Sequence, residues 1–207
     1  MEETLGPEKL RLAFQEIATC DACDAGALPV PTALTAVGGG GRLCGFARTA
    51  HLASGDNLGL QVQAAAAEPG DVLVAVGAGD GCAVVGELLS LRARAHGAVG
   101  IVVDGLARDA DELALPVFAR GAQPRWPVRR AYLSLDETVD LLGVPVAPGD
   151  LVLADRDGVA VVPRGQAEAI LRRARAVVED NVRQRAEIAE GRLPDWLGEA
   201  LAARTRG

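Results

Sequence analysis

An α/β fold follows from three features of the sequence. Residues 72–76 and 99–103 are short β-branched runs almost free of polar residues, the pattern of strands buried on both faces, as in a parallel pair. Between them Leu88, Leu89, Leu91 and Ala95 supply an apolar helical face, which His96 and Gly97 bring to an end. The composition agrees: 49% of the 207 residues are hydrophobic and only 3% aromatic, a core of Val, Leu and Ala rather than of rings. No linker or internal repeat interrupts the chain, so 1–207 reads as one domain.

In chain order, residues 7–19 form the first expected helix, with Pro7 in its opening turn and Leu10, Phe14 and Ile17 on one face. Residues 21–26 begin a second, short one. Residues 33–37 lead into four glycines, 38–41, read as a turn because no GK[ST] follows. A strand over 43–50, a helix over 57–67 and a turn at 68–71 bring the chain to its central strand–loop–helix–strand unit. Beyond it come strands at 116–119 and 128–135, separated by a loop with two prolines. Residues 142–146, 151–154 and 159–162 are three further strands, and Asp157-Gly158 predicts a primed hairpin turn between the last two. Residues 166–190 predict one long amphipathic helix, with Ile170, Ala174, Val177 and Val178 inward. The tail after Gly191 is weakly specified.

Charge and residue usage narrow the function. A net charge of −7 offers no electrostatic footing for a nucleic-acid backbone. No apolar run approaches membrane-spanning length and the acidic N-terminus is no signal peptide, so the expectation is a soluble cytoplasmic protein. Lys9, in the first turn, is the only lysine, which argues against Schiff-base chemistry. Any carbonyl chemistry is then electrostatic or metal-assisted. Cys20 and Cys23 form a CxxC with no second pair, and buried, reduced thiols are expected rather than zinc.

Functional residues cluster in the central unit. Gly77, Gly79 and Gly81 allow a tight turn and close approach of a ligand, and a helix start is a natural anion site. Arg108 and Asp109 leave the second strand at the same end. One reading is a dinucleotide fold, with Asp104 as the ribose acid; Cys82 at the third glycine position, the carboxylates Asp80 and Glu87 and the missing second half weigh against it. The other uses those carboxylates: Glu87 and Asp109 could hold a hard divalent cation, directly or through water, while Arg108 pairs with a small carboxylate or enolate oxygen. Spacing alone does not separate this from a surface ion pair.

The segments GELL at 86–89, VVDGLARD at 102–109 and PVFARG at 116–121 closely resemble the RraA-like family, which includes divalent-metal 4-hydroxy-4-methyl-2-oxoglutarate/4-carboxy-4-hydroxy-2-oxoadipate aldolases. PGDLVLADRDGVAVVP at 148–163 and GRLCGFARTA at 41–50 extend the resemblance over about residues 15–180. It implies an α/β/β/α swivelling-domain sandwich, assembled as a homotrimer or a dimer of trimers. By position, backbone amides of Gly86, Glu87, Leu88 and Leu89 would bind a small 2-oxo acid and Arg108 its carbonyl and carboxylate side. Asp109 would be the ligand of Mg²⁺ or Mn²⁺ and Glu87 would hold metal-bound water as the base. The implied reaction is cleavage of a 4-hydroxy-2-oxo (di)acid to pyruvate through a metal-stabilised enolate, with oxaloacetate decarboxylation as a side activity. Glu87 stands where many members carry Asp, and the tail follows the family's C-terminal helix loosely; Glu187, Glu190 or Glu199 could complete a neighbouring subunit's site. Some relatives inhibit ribonuclease E instead, so a non-enzymatic regulator is the alternative. A third name used for such sequences, demethylmenaquinone methyltransferase, finds no nucleoside-binding fingerprint here.

Overall fold

The computed structural model describes residues 5–204; the ends of the expected 1–207 span lie outside them. The helices are α1 (Pro7–Gln15), α2 (Thr19–Asp24), α3 (Leu58–Ala65), α4 (Glu87–Ala95), α5 (Ala167–Ala189) and α6 (Asp195–Arg204). The strands are β1 (Leu28–Pro29), β2 (Thr35–Gly38), β3 (Leu43–Leu52), β4 (Asp71–Val76), β5 (Ala83–Val85), β6 (Gly100–Val103) and β7 (Leu106–Ala107). They continue with β8 (Val117–Ala119), β9 (Gly121–Ala122), β10 (Tyr132–Leu135), β11 (Val139–Leu141), β12 (Val144–Val146), β13 (Leu151–Asp155) and β14 (Gly158–Val162).

The two β-branched runs do pair in parallel, Val72 opposite Gly100 through Ala75 opposite Val103. They lie inside a nine-stranded sheet of order β1-β14-β13-β3-β4-β6-β8-β2, with β10 added on β3. Alternation along these strands sorts the side chains into layers. Val72, Val74 and Val76 of β4 share one cluster with Phe118 of β8 and with Val152, Ala154, Val159 and Val161 of β13 and β14. One face of the sheet therefore curls onto itself around a common core. The outer faces carry helices. Leu73, Ala75, Ile101 and Val103 pack with Leu60 of α3 and Leu89 of α4, while Leu151, Leu153, Ala160 and Val162 pack with Phe14, Ala22 and Ile170 of α1, α2 and α5. Helix, sheet, sheet, helix is the expected α/β/β/α sandwich. No helix among the described residues is long and apolar enough to cross a membrane.

Several local expectations are corrected by long-range pairing. Gly77, Gly79 and Gly81 do not open α4: residues 83–85 form β5 first, pairing in parallel with β7, and the helix cap is Gly86. The strand expected over 128–135 starts at Tyr132, because the preceding residues are tied to Gly55, Asp56 and Asn57 instead. Residues 142–146 are not one strand. Leu142 and Gly143, at φ +57° and +89°, turn β11 into β12, and this is where the primed turn falls. Between β13 and β14, Arg156 and Asp157 lack positive φ; the Asp155 carboxylate closes that turn by accepting the Asp157 N–H at 3.0 Å. The unassigned tail contains α6.

The thiols are all free but only partly as expected: Cys44 and Cys82 are buried, Cys23 half-buried and Cys20 exposed. Burial pushes the Cys44 thiol up to about 12, with Arg11 and Arg42 offsetting only part of it. Because the thiolate is the reactive form, a thiol reagent at pH 8 should label Cys20 first and leave Cys44 until the chain is denatured. Peptide mapping would show this, and native labelling of Cys44 as fast as Cys20 would contradict the packing.

Candidate active site

A small three-stranded sheet, β5-β7-β9, builds the site. Val85 lies opposite Ala107, so the residues that follow each strand, Gly86-Glu87 and Arg108-Asp109, emerge side by side. The Arg108 N–H donates to the Val85 carbonyl at 2.9 Å. β9 pairs with β7 in turn, and the Gln123 N–H donates to the Ala107 carbonyl at 2.8 Å. That register carries the loop with Pro124, Trp126 and Pro127 across the same opening. The loop is fixed at its far end too: the Val128 N–H donates to the Gly55 carbonyl, and the Asp56 carboxylate accepts the Arg130 and Ala131 N–H groups at 2.6 and 3.0 Å. Burial pushes the Asp56 carboxyl up, but the backbone N–H groups of Leu58, Ala131 and Arg130 and the Arg130 charge outweigh it and leave it below the ordinary range.

These elements enclose a cavity of about 190 Å³ whose walls include Gly86, Glu87, Leu88, Leu89, Arg108 and Asp109. The six residues that the family resemblance assigns to the site are therefore brought together, whereas Gly77, Gly79 and Gly81 do not line the cavity. Asp109 has φ +55°, a left-handed conformation that Asp tolerates better than most residues but that still costs on the order of 1 kcal/mol. Its carboxylate is oriented by the Glu87 N–H at 3.2 Å and by Arg108 Nε at 3.1 and 3.2 Å from its two oxygens. Arg108 is held from the other side: Nη1 donates to the Pro124 carbonyl at 3.3 Å, and its guanidinium carbon lies 4.5 Å from the Trp126 ring centroid. Gly86 is required by this crowding. A Cβ there would sit 2.7 Å from Asp109 Oδ2.

Leu88 does not belong to the buried face of α4. Leu89, Ser90 and Ala93 form that face, Leu91 and Ala95 of the expected apolar face are exposed, and Leu88, 66% exposed, lines the cavity. The N–H groups of the first helical turn have no intrahelical acceptor, so those of Leu88 and Leu89 can serve an anion. Ser90 steadies the turn from below, donating to the Glu87 carbonyl at 2.7 Å and accepting the Ala114 N–H at 2.9 Å. Among the described residues no group of three or more His, Cys, Asp and Glu side chains is placed to hold a metal ion. The donors present instead fit a sparse site, one or two carboxylates with water completing the shell, as Mg²⁺ prefers.

Among the wall residues the sequence reading missed are Asn57, Gln61, Trp126 and Arg129. Asn57 is buried, with Nδ2 donating to the Val84 carbonyl at 3.0 Å and Oδ1 without a partner among the described residues. A signal for Trp126 was present: PRWPVRR places one of only two tryptophans between prolines and arginines. Asp104, the candidate ribose acid, is paired with Arg120 and does not line the cavity. Neither does Glu187, Glu190 or Glu199.

An α/β/β/α sandwich with an Arg-Asp pair set against a glycine-capped helix start defines a recognisable class. A family profile described as RraA-like, Aldolase/RraA, matches residues 19–161, and the chain belongs to that family. A protein of Halalkalibacterium halodurans, provisionally named a 4-hydroxy-4-methyl-2-oxoglutarate aldolase, is 38% identical over 151 residues, covering 70% of this chain and 71% of that protein. A Burkholderia mallei (strain SAVP1) protein with the same provisional name is 45% identical over 96 residues, 44% of this chain and 58% of its own length. The solved structure of the RNA-processing inhibitor RraA from Thermus thermophilis superposes with a TM-score of 0.64 at 32% identity, covering 70% of this chain and 92% of that one.

Proposed function

We propose that this chain is a divalent-metal-dependent lyase that cleaves 4-hydroxy-2-oxo acids to pyruvate. The observation that carries the reading is the Arg108–Asp109 pair held against the N-terminus of α4 within one cavity. The provisional names of the relatives support it. The only lysine, Lys9, is exposed on α1 and does not line the cavity, which leaves Schiff-base catalysis without a residue.

The chain's own groups divide the work. The N–H groups of Leu88 and Leu89 take the substrate's carboxylate. Arg108 donates to the oxygen on C2, where negative charge gathers as the C3–C4 bond breaks and its electrons form the pyruvate enolate. Mg²⁺ or Mn²⁺ held by Asp109 would supply Lewis-acid withdrawal of electrons from the same carbonyl. Glu87, in the cavity wall, orients a water that accepts the proton of the 4-hydroxyl, so C4 leaves as a carbonyl. Return of a proton to C3 completes pyruvate. Oxaloacetate presents the same pyruvoyl end with CO₂ as the leaving fragment, so its decarboxylation is part of the proposal. A homotrimer, or a dimer of trimers, would cover the exposed Val182, Ile188, Leu193 and Trp196 of the C-terminal helices and the turn between them, and would bring one of Glu187, Glu190 and Glu199 to a neighbouring cavity.

The test is pyruvate release from 4-hydroxy-4-methyl-2-oxoglutarate and oxaloacetate, with Mg²⁺ and with chelator, in the wild type and in Asp109→Asn. Asn tolerates the left-handed backbone but brings no charge to a cation. The expected result is metal-dependent release that Asp109→Asn lowers by roughly 100-fold or more. Release insensitive to chelator, or an unaffected variant, would overturn the reading. The second reading, a regulator of ribonuclease activity, draws on the name of the Thermus structure. It predicts capture of a ribonuclease by this chain and no pyruvate release.

A further inference from the structure

The cavity holds a cation that the chemistry at the pyruvoyl end leaves unused. Arg108 is paired with Asp109 and held by the Pro124 carbonyl. Arg129 also lines the cavity, yet no carboxylate among the described residues is paired with it. Its guanidinium carbon lies 5.4 Å from the centroid of the same Trp126 ring that carries Arg108 at 4.5 Å. One indole thus orients two guanidinium groups, within reach of a single short ligand. The Arg129 backbone is anchored despite its exposed side chain, because Val128 N–H is bonded to Gly55 and Arg130 N–H to Asp56.

The charges give this a purpose. Glu87 and Asp109 contribute two negative charges to the walls, and Arg108 alone balances one of them. A divalent cation held by Asp109, together with Arg108, would meet the carbonyl and carboxylate of the pyruvoyl end, which leaves Arg129 as the cavity cation available to a second carboxylate. The Arg129 guanidinium is a planar fork beside the Trp126 ring in the wall of the same cavity, and such forks match carboxylates.

Resting on the lyase reading above, we propose that Arg129, steadied by Trp126, is the specificity-determining residue that binds a second carboxylate at the distal end of the substrate. The preferred substrate is then a dicarboxylate, and a monoacid with the same 2-oxo end is the discriminated competitor. Trp126 is the arm of the device that holds both cations; Arg129 is the part that reads the charge.

Binding tests this separately from turnover. In a Trp196→Phe background, Trp126 is the only remaining tryptophan, and its fluorescence would report titration with 2-oxoglutarate or 2-oxopentanoate, a diacid and a monoacid of equal chain length, in the presence of Mg²⁺. The diacid should bind roughly 10- to 100-fold tighter, the range of a hydrogen-bonded ion pair. Arg129→Ala should shrink that preference to about twofold, Arg129→Lys should restore part of it, and Arg125→Ala, which removes one positive charge from a neighbouring position outside the cavity, should leave it in place. Equal binding of the two acids by the wild type, failure of either to bind, or equal weakening of both in Arg129→Ala would overturn the proposal. Pyruvate release without a diacid preference would remove only the Arg129 subsite. A diacid preference without release from any hydroxy acid would remove the lyase reading and keep the subsite.

Discussion

Arg108→Ala should abolish most pyruvate release while leaving divalent-cation binding intact or tighter. The guanidinium has two tasks in the structure, and the substitution separates them. Towards the cavity, on the lyase reading, it would donate to the oxygen that becomes negative, and removal of such a donor costs roughly two to three orders of magnitude in turnover. Towards the protein it occupies the Asp109 carboxylate, with Nε within 3.2 Å of both oxygens. Taking it away frees those oxygens for a cation. The fold should tolerate the change, because the Arg108 side chain is 25% exposed and its cavity is open to water. Arg108→Lys should rescue little. An ammonium lacks the Nε donor near the backbone and the planar face that stacks on Trp126. Turnover and Mn²⁺ affinity, measured side by side, check both halves. A variant with wild-type turnover would remove Arg108 from the reaction, and loss of cation binding together with turnover would make its role that of a support for Asp109.

Some of this architecture was legible because it is local. The buried strands β4 and β6 announce themselves as β-branched runs, the C-terminal helix by its period, and the end of α4 by His96 and Gly97, the latter at φ +104°. What failed to show was set by partners distant in sequence. Nothing in residues 83–85 distinguishes a strand from the first turn of a helix until residues 106–107 lie beside them. The glycines of 77–81 looked like the ligand loop for that reason. Leu88 follows the same logic: by period it belongs with Leu89 and Leu91, but the cap at Gly86 rotates α4 so that Leu89, Ser90 and Ala93 face inward. Arg108, Asp109 and Glu87 were candidates from their places in the central unit, but only the resemblance carried by their motifs separated a ligand site from a surface ion pair. Trp126 and Arg129 lie beyond those motifs, in a loop whose course depends on its bonds to residues 55–57.

Gly86→Ala is expected to inactivate the site with little effect on stability. Gly86 has φ −155° and ψ −176°, extended backbone open to alanine, so the substitution introduces no conformational strain. The obstacle is space. The new Cβ would lie 2.7 Å from Asp109 Oδ2 and 3.0 Å from Arg108 Cγ, closer than real contacts allow at the first and barely tolerable at the second. Both neighbours are side chains at the edge of a cavity, so they can retreat toward solvent, and the cost in stability should stay near 1–2 kcal/mol, at the mild end for overpacking. Catalysis has no such latitude. A shift of about 1 Å in groups that must meet the substrate can cost roughly 100-fold. Gly81→Ala provides the contrast, since its Cβ would meet nothing within 4 Å; it should alter neither melting temperature nor turnover. Both variants together decide where the functional glycine lies. If Gly81→Ala were the inactive one and Gly86→Ala kept turnover within about fivefold of wild type, the ligand would belong to the glycine-rich loop, and the cavity between Gly86 and Arg108 would be an incidental gap.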